Sequence, residues 1–449
     1  MAQGRDAQAK SARLKRVFGP GTLQALGIFA GAWHFVMSLL KRFTEVSPLR
    51  YAELGLFFIL GAAAVAWYML YRPKIRVKAV PAILLGLLGW FALSCALMCA
   101  RLGANEFLAN RKYIMDTLAL FGIFFPLGYR WGRTGRVSGS GPAGCVILAC
   151  WTVFISYVLI NVLRGVTVEL PGGGRICMDG MGTLRLNCHY NTTGALEMLF
   201  FLVSLALALS RKGLLPKAAF GLASAIHYTA LVLSNSRTAY VSALFGFVGI
   251  VFVYVRRSVC RGKRVRRLLS EAAVIALLAA GFYLMRGALY SLLMGGSSQL
   301  REVIDSTTAS FTGRTDIWAG ALRIMVSDIQ YLLFGVTPAE VRGLIKELLG
   351  YRVYTHNQFL ETGVALGAPA MLALGVWVLM ILASGVRQIK AGDRQAYVSV
   401  ILILTLLLAN TTEATLMFYE YATGHAFFLL CGRVYGKTLR NEDLSKTGP

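Results

Sequence analysis

The chain has 449 residues, of which 56% are hydrophobic and only 15% are Asp, Glu, Lys or Arg; mean hydropathy is +0.61. A soluble globular protein carries about 25% charged residues, so this composition excludes an ordinary soluble domain and points to an integral membrane protein. The formal charge of +25 comes from 46 basic against 21 acidic residues. Basic residues gather in cytoplasmic loops beside anionic lipid, and no DNA- or RNA-binding motif accompanies them, so no nucleic-acid partner is expected.

In chain order, the basic stretch "MAQGRDAQAKSARLKRVF" leads without an evident small-residue cleavage site into an apolar run. This predicts a cytoplasmic tail over 1–16 and a first spanning helix rather than a removed signal. Spans of roughly 17–25 apolar residues are predicted at 17–40, 53–71, 79–100, 113–130, 143–163, 193–209, 216–234, 239–255, 271–293, 363–384, 396–411 and 413–431. The predicted fold is an all-α polytopic membrane protein of about twelve transmembrane helices. Nine lie within 17–293 and three within 363–431, with a long extracytoplasmic loop over 294–362 and a cytoplasmic tail over 432–449. With the N-terminus inside, the segments that alternate to the cytoplasm hold 29 of the 46 basic residues. That asymmetry places both termini inside.

Two outer segments stand apart. The first, 164–192, contains "PGGGR" and reads as glycine-rich and irregular; it lacks the Lys-Ser/Thr pair of a phosphate-binding P-loop. Cys177 and Cys188 share this polar loop, which leaves a disulfide and two free thiols both open. The other cysteines have no metal-ligand spacing, and no metal or cofactor is expected. In the second segment, "TDIWAGALRIMVSDIQYLLFG" and "PAEVRGLIKELLGY" have helical apolar spacing with polar faces. They are predicted to form amphipathic helices over the outer leaflet or a cavity.

Three residues on this outer side carry candidate chemistry. Arg237 stands in "LSNSRTAY" at the start of the eighth span, where a snorkelling arginine is the ordinary reading. Its neighbours Ser234, Asn235, Ser236 and Thr238 add donors that suit a phosphate group at a helix N-terminus. Arg314, in "FTGRTDIW", pairs with Asp316 in one reading and grips an anion in the other. His356, in "YTHNQFL", is suited to accept a proton near neutral pH, and Asn357 follows it as a group to orient the base or a substrate. Glu361 is a possible partner. His227 lies in the seventh span within possible reach of the same cavity, while His34 and His425 read as packing residues.

The ordered set "SNSRTAYVSAL", "FTGRTDIWAGAL", "YLLFGVTP" and "THNQFLETGVALGAPAMLAL" resembles the bacterial O-antigen ligase and Wzy-type polysaccharide polymerase superfamily, most strongly over 230–375. The resemblance implies glycosyl transfer at the outer face of the cytoplasmic membrane, from an undecaprenyl-diphosphate-linked glycan donor to a glycan, lipid or protein acceptor, without a metal. It carries the family's two arginines onto Arg237 and Arg314 and its histidine onto His356. Asn235 and Asn357 are then substrate-binding candidates. The familiar "P-x-G-x-G" pattern is replaced by "FGVTPAEVRG". A secondary transporter or flippase for an anionic or lipid-linked substrate is the alternative; the absence of an evident internal duplication and the edge position of the charged residues disfavour it.

Overall fold

The computed structural model describes residues 20–40, 78–103, 105–135, 140–170, 175–178, 183–186, 189–259, 264–294, 314–350, 353–418 and 422–446, with four isolated positions at 56, 59, 60 and 63. The span expected at 53–71 therefore lies outside the described residues. The described chain is nearly all helical. It opens with α1 (Pro20–Leu40), α2 (Ala79–Leu102) and α3 (Asn105–Ala119). A single π turn, Leu120–Phe124, joins α3 to α4 (Phe125–Thr134). Pro126 at the start of α4 has no N–H for the carbonyl four residues back, and the wider turn accommodates that gap. Next come α5 (Ser140–Leu163), α6 (Tyr190–Ser210), α7 (Leu214–Leu233), α8 (Arg237–Val259) and α9 (Arg264–Met294).

Six helical segments are long and apolar enough to cross a membrane: Ala79–Leu102, Gly144–Leu163, Tyr190–Ser210, Arg237–Arg256, Leu269–Leu289 and Ala368–Lys390. Two shorter apolar stretches, Ala25–Met37 and Arg394–Ala409, accompany them. A chain with these helices is a multi-pass membrane protein.

The segment between α5 and α6 departs from the irregular structure expected of it. It forms a three-stranded antiparallel sheet of β1 (Val168–Glu169), β2 (Arg175–Met178) and β3 (Leu184–Leu186), in that order. The register pairs Val168 with Ile176 and Ile176 with Leu186. These residues and Leu184 are buried on one face against Ile155, Val158 and Leu196 of α5 and α6, while Glu169, Arg175 and Arg185 face out. The alternation is that of a half-buried sheet, and the glycines fall between the strands. Cys177 on β2 is a free thiol; Cys188 lies outside the described residues.

After α9 the described chain resumes with four short helices, α10 (Arg314–Ser327), α11 (Ile329–Phe334), α12 (Val341–Leu349) and α13 (Gln358–Leu366). Asp328 interrupts the first amphipathic stretch by accepting a hydrogen bond from the Gln330 amide, which starts α11. The three last helices are α14 (Ala368–Lys390), α15 (Arg394–Ala409) and α16 (Ala422–Lys446). The span expected from 363 is split: Gly367, at φ 87, turns the chain between α13 and α14. The helix expected from 413 begins at Ala422 instead, because residues 411–418 form a loop.

That loop is stitched to the start of α13. The Asn410 side chain accepts from the Thr415 amide at 2.6 Å, and Gln358 Oε1 accepts from the amides of Leu416 and Met417 at 3.0 and 3.1 Å. Gln358 and Asn410 are both buried, so these side chains satisfy backbone groups that would otherwise be stranded away from water. Further along, α16 packs on α4 through two matched glycine pairs. A β-carbon on Gly128 or Gly132 would fall on the carbonyls of Leu429 or Arg433; one on Gly432 or Gly436 would fall on those of Phe125 or Tyr129. This is the small-xxx-small packing that lets membrane helices touch backbone to backbone.

Candidate active site

The site is assembled from the ends of elements far apart in sequence. Ser236 ends the turn between α7 and α8, Arg314 starts α10, and His356 precedes α13. Asn191 begins α6 and Glu413 sits in the loop before α16. Glu413, only 3% exposed at its side chain, is the hub. Its Oε1 accepts from Arg314 Nη2 at 2.9 Å and from Asn191 Nδ2 at 2.6 Å. Its Oε2 accepts from the Tyr354 hydroxyl at 3.3 Å and faces His356 Nδ1 at 3.3 Å. Asn191 is held in turn by Ser236, whose hydroxyl donates to Asn191 Oδ1 at 3.0 Å. A buried carboxylate is tolerated where charge and hydrogen bonds surround it, and each oxygen here has two partners.

His356 is presented by a backbone in the left-handed region, at φ 51. For a non-glycine residue this costs about 1–3 kcal/mol, and its neighbours hold it there. The Thr355 amide donates to Glu361 Oε2 at 2.8 Å, and Trp318 Nε1 donates to the Thr355 carbonyl at 3.0 Å. On the other side Asn357 caps α13, accepting from the Phe359 and Leu360 amides, while its Nδ2 donates to the Thr411 carbonyl at 3.1 Å. Glu361 therefore supports the turn, and the carboxylate facing the imidazole is Glu413. The Tyr354 ring packs against the imidazole, with centroids 4.4 Å apart. Nδ1 faces Glu413, and among the described residues Nε2 has no hydrogen-bond partner. A carboxylate on one nitrogen fixes the tautomer and leaves the other nitrogen to work.

Arg314 also reaches back to Thr238 Oγ1 at 3.4 Å, and Thr412 Oγ1 donates to the same hydroxyl at 2.9 Å. Thus α8, α10 and the 411–418 loop meet at one point. Arg237, the first residue of α8, is exposed. It lies within electrostatic reach of a further arginine, Arg286 of α9. Arg286 is buried within an apolar segment. Its Nη2 donates to Asn235 Oδ1 at 3.4 Å and its guanidinium lies 4.6 Å from the Tyr240 ring centroid. Asn235, like His356, is left-handed at φ 51, a conformation that asparagine tolerates better than most residues.

Residues 219–375 match the family model described as O-antigen ligase. The chain carries an O-antigen ligase domain. No curated protein matches the chain at a significant level. The O-antigen ligase domain covers about a third of the chain, from within α7 into α14, and contains Arg237, Arg286, Arg314 and His356. Asn191 and Glu413 lie outside it, one before and one after. The chain is accordingly a membrane protein of polysaccharide biosynthesis with ligase or transferase activity of this general type.

Sequence reasoning chose Arg237, Arg314 and His356 and missed Glu413, Arg286, Asn191 and Tyr354. Arg286 had a usable signal, since an arginine inside an apolar segment is expensive and marks a wet or paired site. Glu413 is the first residue of the span predicted at 413–431, and the apolar run after it hid its role. His227 does not join the site. It is buried with Glu197, Nδ1 to Oε2 at 2.7 Å, and its Nε2 meets Thr152 Oγ1 at 3.0 Å. Trp151 Nε1 donates to the other Glu197 oxygen at 3.0 Å. His34 and His425 pack together, centroids 4.8 Å apart, as expected of packing residues.

Proposed function

We propose that this protein transfers a glycan from a polyprenyl diphosphate carrier to an acceptor hydroxyl at the outer face of the cytoplasmic membrane. The observation that carries the proposal is the His356–Glu413–Arg314 cluster. It puts beside a guanidinium an imidazole with one nitrogen on a carboxylate and the other unengaged among the described residues. His356 Nε2 takes the proton of the acceptor hydroxyl. The acceptor oxygen attacks the anomeric carbon, the bond from that carbon to the phosphate oxygen breaks, and polyprenyl diphosphate leaves with the electron pair. Direct displacement inverts the anomeric centre.

Arg237, Arg286 and Arg314 bind the diphosphate and neutralise the charge it gains on departure. Those three guanidinium groups supply positive charge of the kind a divalent cation would bring. Glu413 fixes the tautomer of His356 and stabilises the imidazolium formed in the transition state. Asn235 positions Arg286, and Asn357 holds the turn that presents the imidazole. The helices α10 to α13 shield the reacting carbon from water. Positive-inside asymmetry supports the outer-face orientation and cytoplasmic termini.

The test is transfer by the purified protein in lipid nanodiscs, given an undecaprenyl-diphosphate-linked repeat unit. Two acceptors are compared, a rough-type lipid A–core and a second lipid-diphosphate repeat unit. Glycan product and released undecaprenyl diphosphate are both measured. Joint loss of the two in H356A, R237A and R314A is the expected result. Full activity in H356A overturns its role as base. Glycan movement across sealed proteoliposomes without covalent product favours a transporter.

A further inference from the structure

The rim of the site holds a second imidazole that the scheme above does not use. His189 immediately precedes α6, two residues before Asn191, which binds Glu413. Its Nδ1 accepts a hydrogen bond from the Asn191 amide at 3.3 Å, capping the helix. That bond leaves the proton of the neutral ring on Nε2, which points away from the cap. Among the described residues Nε2 has no hydrogen-bond partner. The ring lies against Tyr190, centroids 4.2 Å apart, and is exposed.

His189 shares charge interactions with Glu413, His356, Arg185 and Arg314, so it belongs to the half of the site that holds the base. Arg286 shares its own with Arg237, at the diphosphate end, and Arg314, bonded to both Glu413 and Thr238, joins the two. Partial burial lowers the basicity of His189 below that of an ordinary imidazole; Glu413 opposes this, and His356, Arg185 and Arg314 reinforce it. The ring therefore favours its neutral form. A neutral N–H donor suits the hydroxyl or acyl oxygen of a sugar, whereas the guanidinium groups suit a phosphate.

We propose that His189 is an acceptor-binding residue, whose Nε2–H donates to an oxygen of the acceptor glycan while His356 faces the hydroxyl that reacts. The proposal rests on the glycosyl-transfer reading. It differs from a purely structural role in one measurable way, because capping uses Nδ1 and recognition uses Nε2. In H189N the asparagine oxygen replaces the capping nitrogen, but nothing replaces Nε2. H189A removes both.

The experiment is steady-state transfer by wild type, H189N and H189A in nanodiscs, varying acceptor and donor separately, with the two acceptors named above. The expected result for H189N is a wild-type melting temperature, an acceptor KM raised about tenfold, and kcat and donor KM within about twofold, consistent with one lost hydrogen bond. H189A should show the same KM effect and a lowered melting temperature. Wild-type kinetics in H189N would overturn the proposal and leave His189 a helix cap. A fall in kcat alone, or a rise in donor KM alone, would also overturn it. Absence of transfer by the wild type with either acceptor would count against the functional reading instead. Binding of the same two acceptors to wild type and H189N, by thermophoresis, would then decide the role of His189: equal affinity overturns it, and weaker binding by H189N supports it.

Discussion

Two histidine–glutamate pairs lie among the described residues, and only one belongs to the site. His227 and Glu197 are fully buried among α5, α6 and α7, with side-chain exposures of 0% and 0%. His356 and Glu413 have exposures of 16% and 3%. In the first pair both imidazole nitrogens are engaged, one by Glu197 and one by Thr152, and the ring stacks on Phe200. In the second, one nitrogen faces the carboxylate and the other has no hydrogen-bond partner among the described residues. The inner pair sits on regular helix, whereas the outer pair sits on a left-handed residue and a loop. A histidine beside a carboxylate is therefore no sign of chemistry by itself. An unengaged second nitrogen, a neighbouring guanidinium and a backbone held in a disfavoured conformation are what separate the two.

The comparison can be broken most directly at the outer imidazole. H356N, which places a residue tolerant of the left-handed backbone there, should lower kcat by about 10²–10⁴-fold if His356 acts as a general base, with a melting temperature close to wild type. Next, E413Q should keep the packing of the carboxyl but weaken its hold on the tautomer and imidazolium, lowering kcat about 10²-fold or more while donor KM changes little. A proportionate loss of folded protein in either variant would make the outer pair structural, like the inner one.

The inner pair should respond the other way. H227A strands Glu197 in an apolar surrounding and should destabilise the fold by about 3–5 kcal/mol, read as a large drop in melting temperature in detergent. At temperatures where the variant is folded, its kcat should stay within about threefold of wild type. Replacing both partners, H227F with E197L, should recover much of that stability, since an apolar pair of similar volume often substitutes for a buried ion pair. A catalytic collapse in the folded double variant would erase the distinction between the pairs.

The smallest expected effect sharpens the role of the left-handed turn at Asn235. N235G keeps the backbone conformation accessible and removes only the side-chain oxygen that meets Arg286. Loss of one hydrogen bond to a charged group, about 1.5–3 kcal/mol, should appear as a donor KM raised about tenfold or more. N235A adds backbone strain and should also lower the melting temperature.

Most helices were legible because a membrane forces apolar runs of a fixed length, and composition exposes them. The breaks inside those runs were less legible. The loop at 411–418 is set by backbone amides that donate to the side chains of Gln358 and Asn410, and the turn at Gly367 by its close approach to the Leu333 carbonyl; hydropathy registers neither. The small sheet was hidden by the glycines between its strands. In the site, Arg237, Arg314 and His356 stood out as charged or titratable groups at the edges of apolar runs. Glu413 did not, because its meaning comes from partners 57 to 222 residues away in the chain.

That late position of Glu413 has a consequence for biosynthesis. A ribosome delivers the arginines on α8, α9 and α10 first, then His356, and only afterwards the carboxylate that orients it. Until the loop before α16 has emerged and α16 has closed its glycine seam against α4, the chain holds anion-binding groups around an unoriented imidazole. On the proposed mechanism, a half-made chain binds a carrier lipid without consuming it, and catalysis waits for the C-terminal helix to dock.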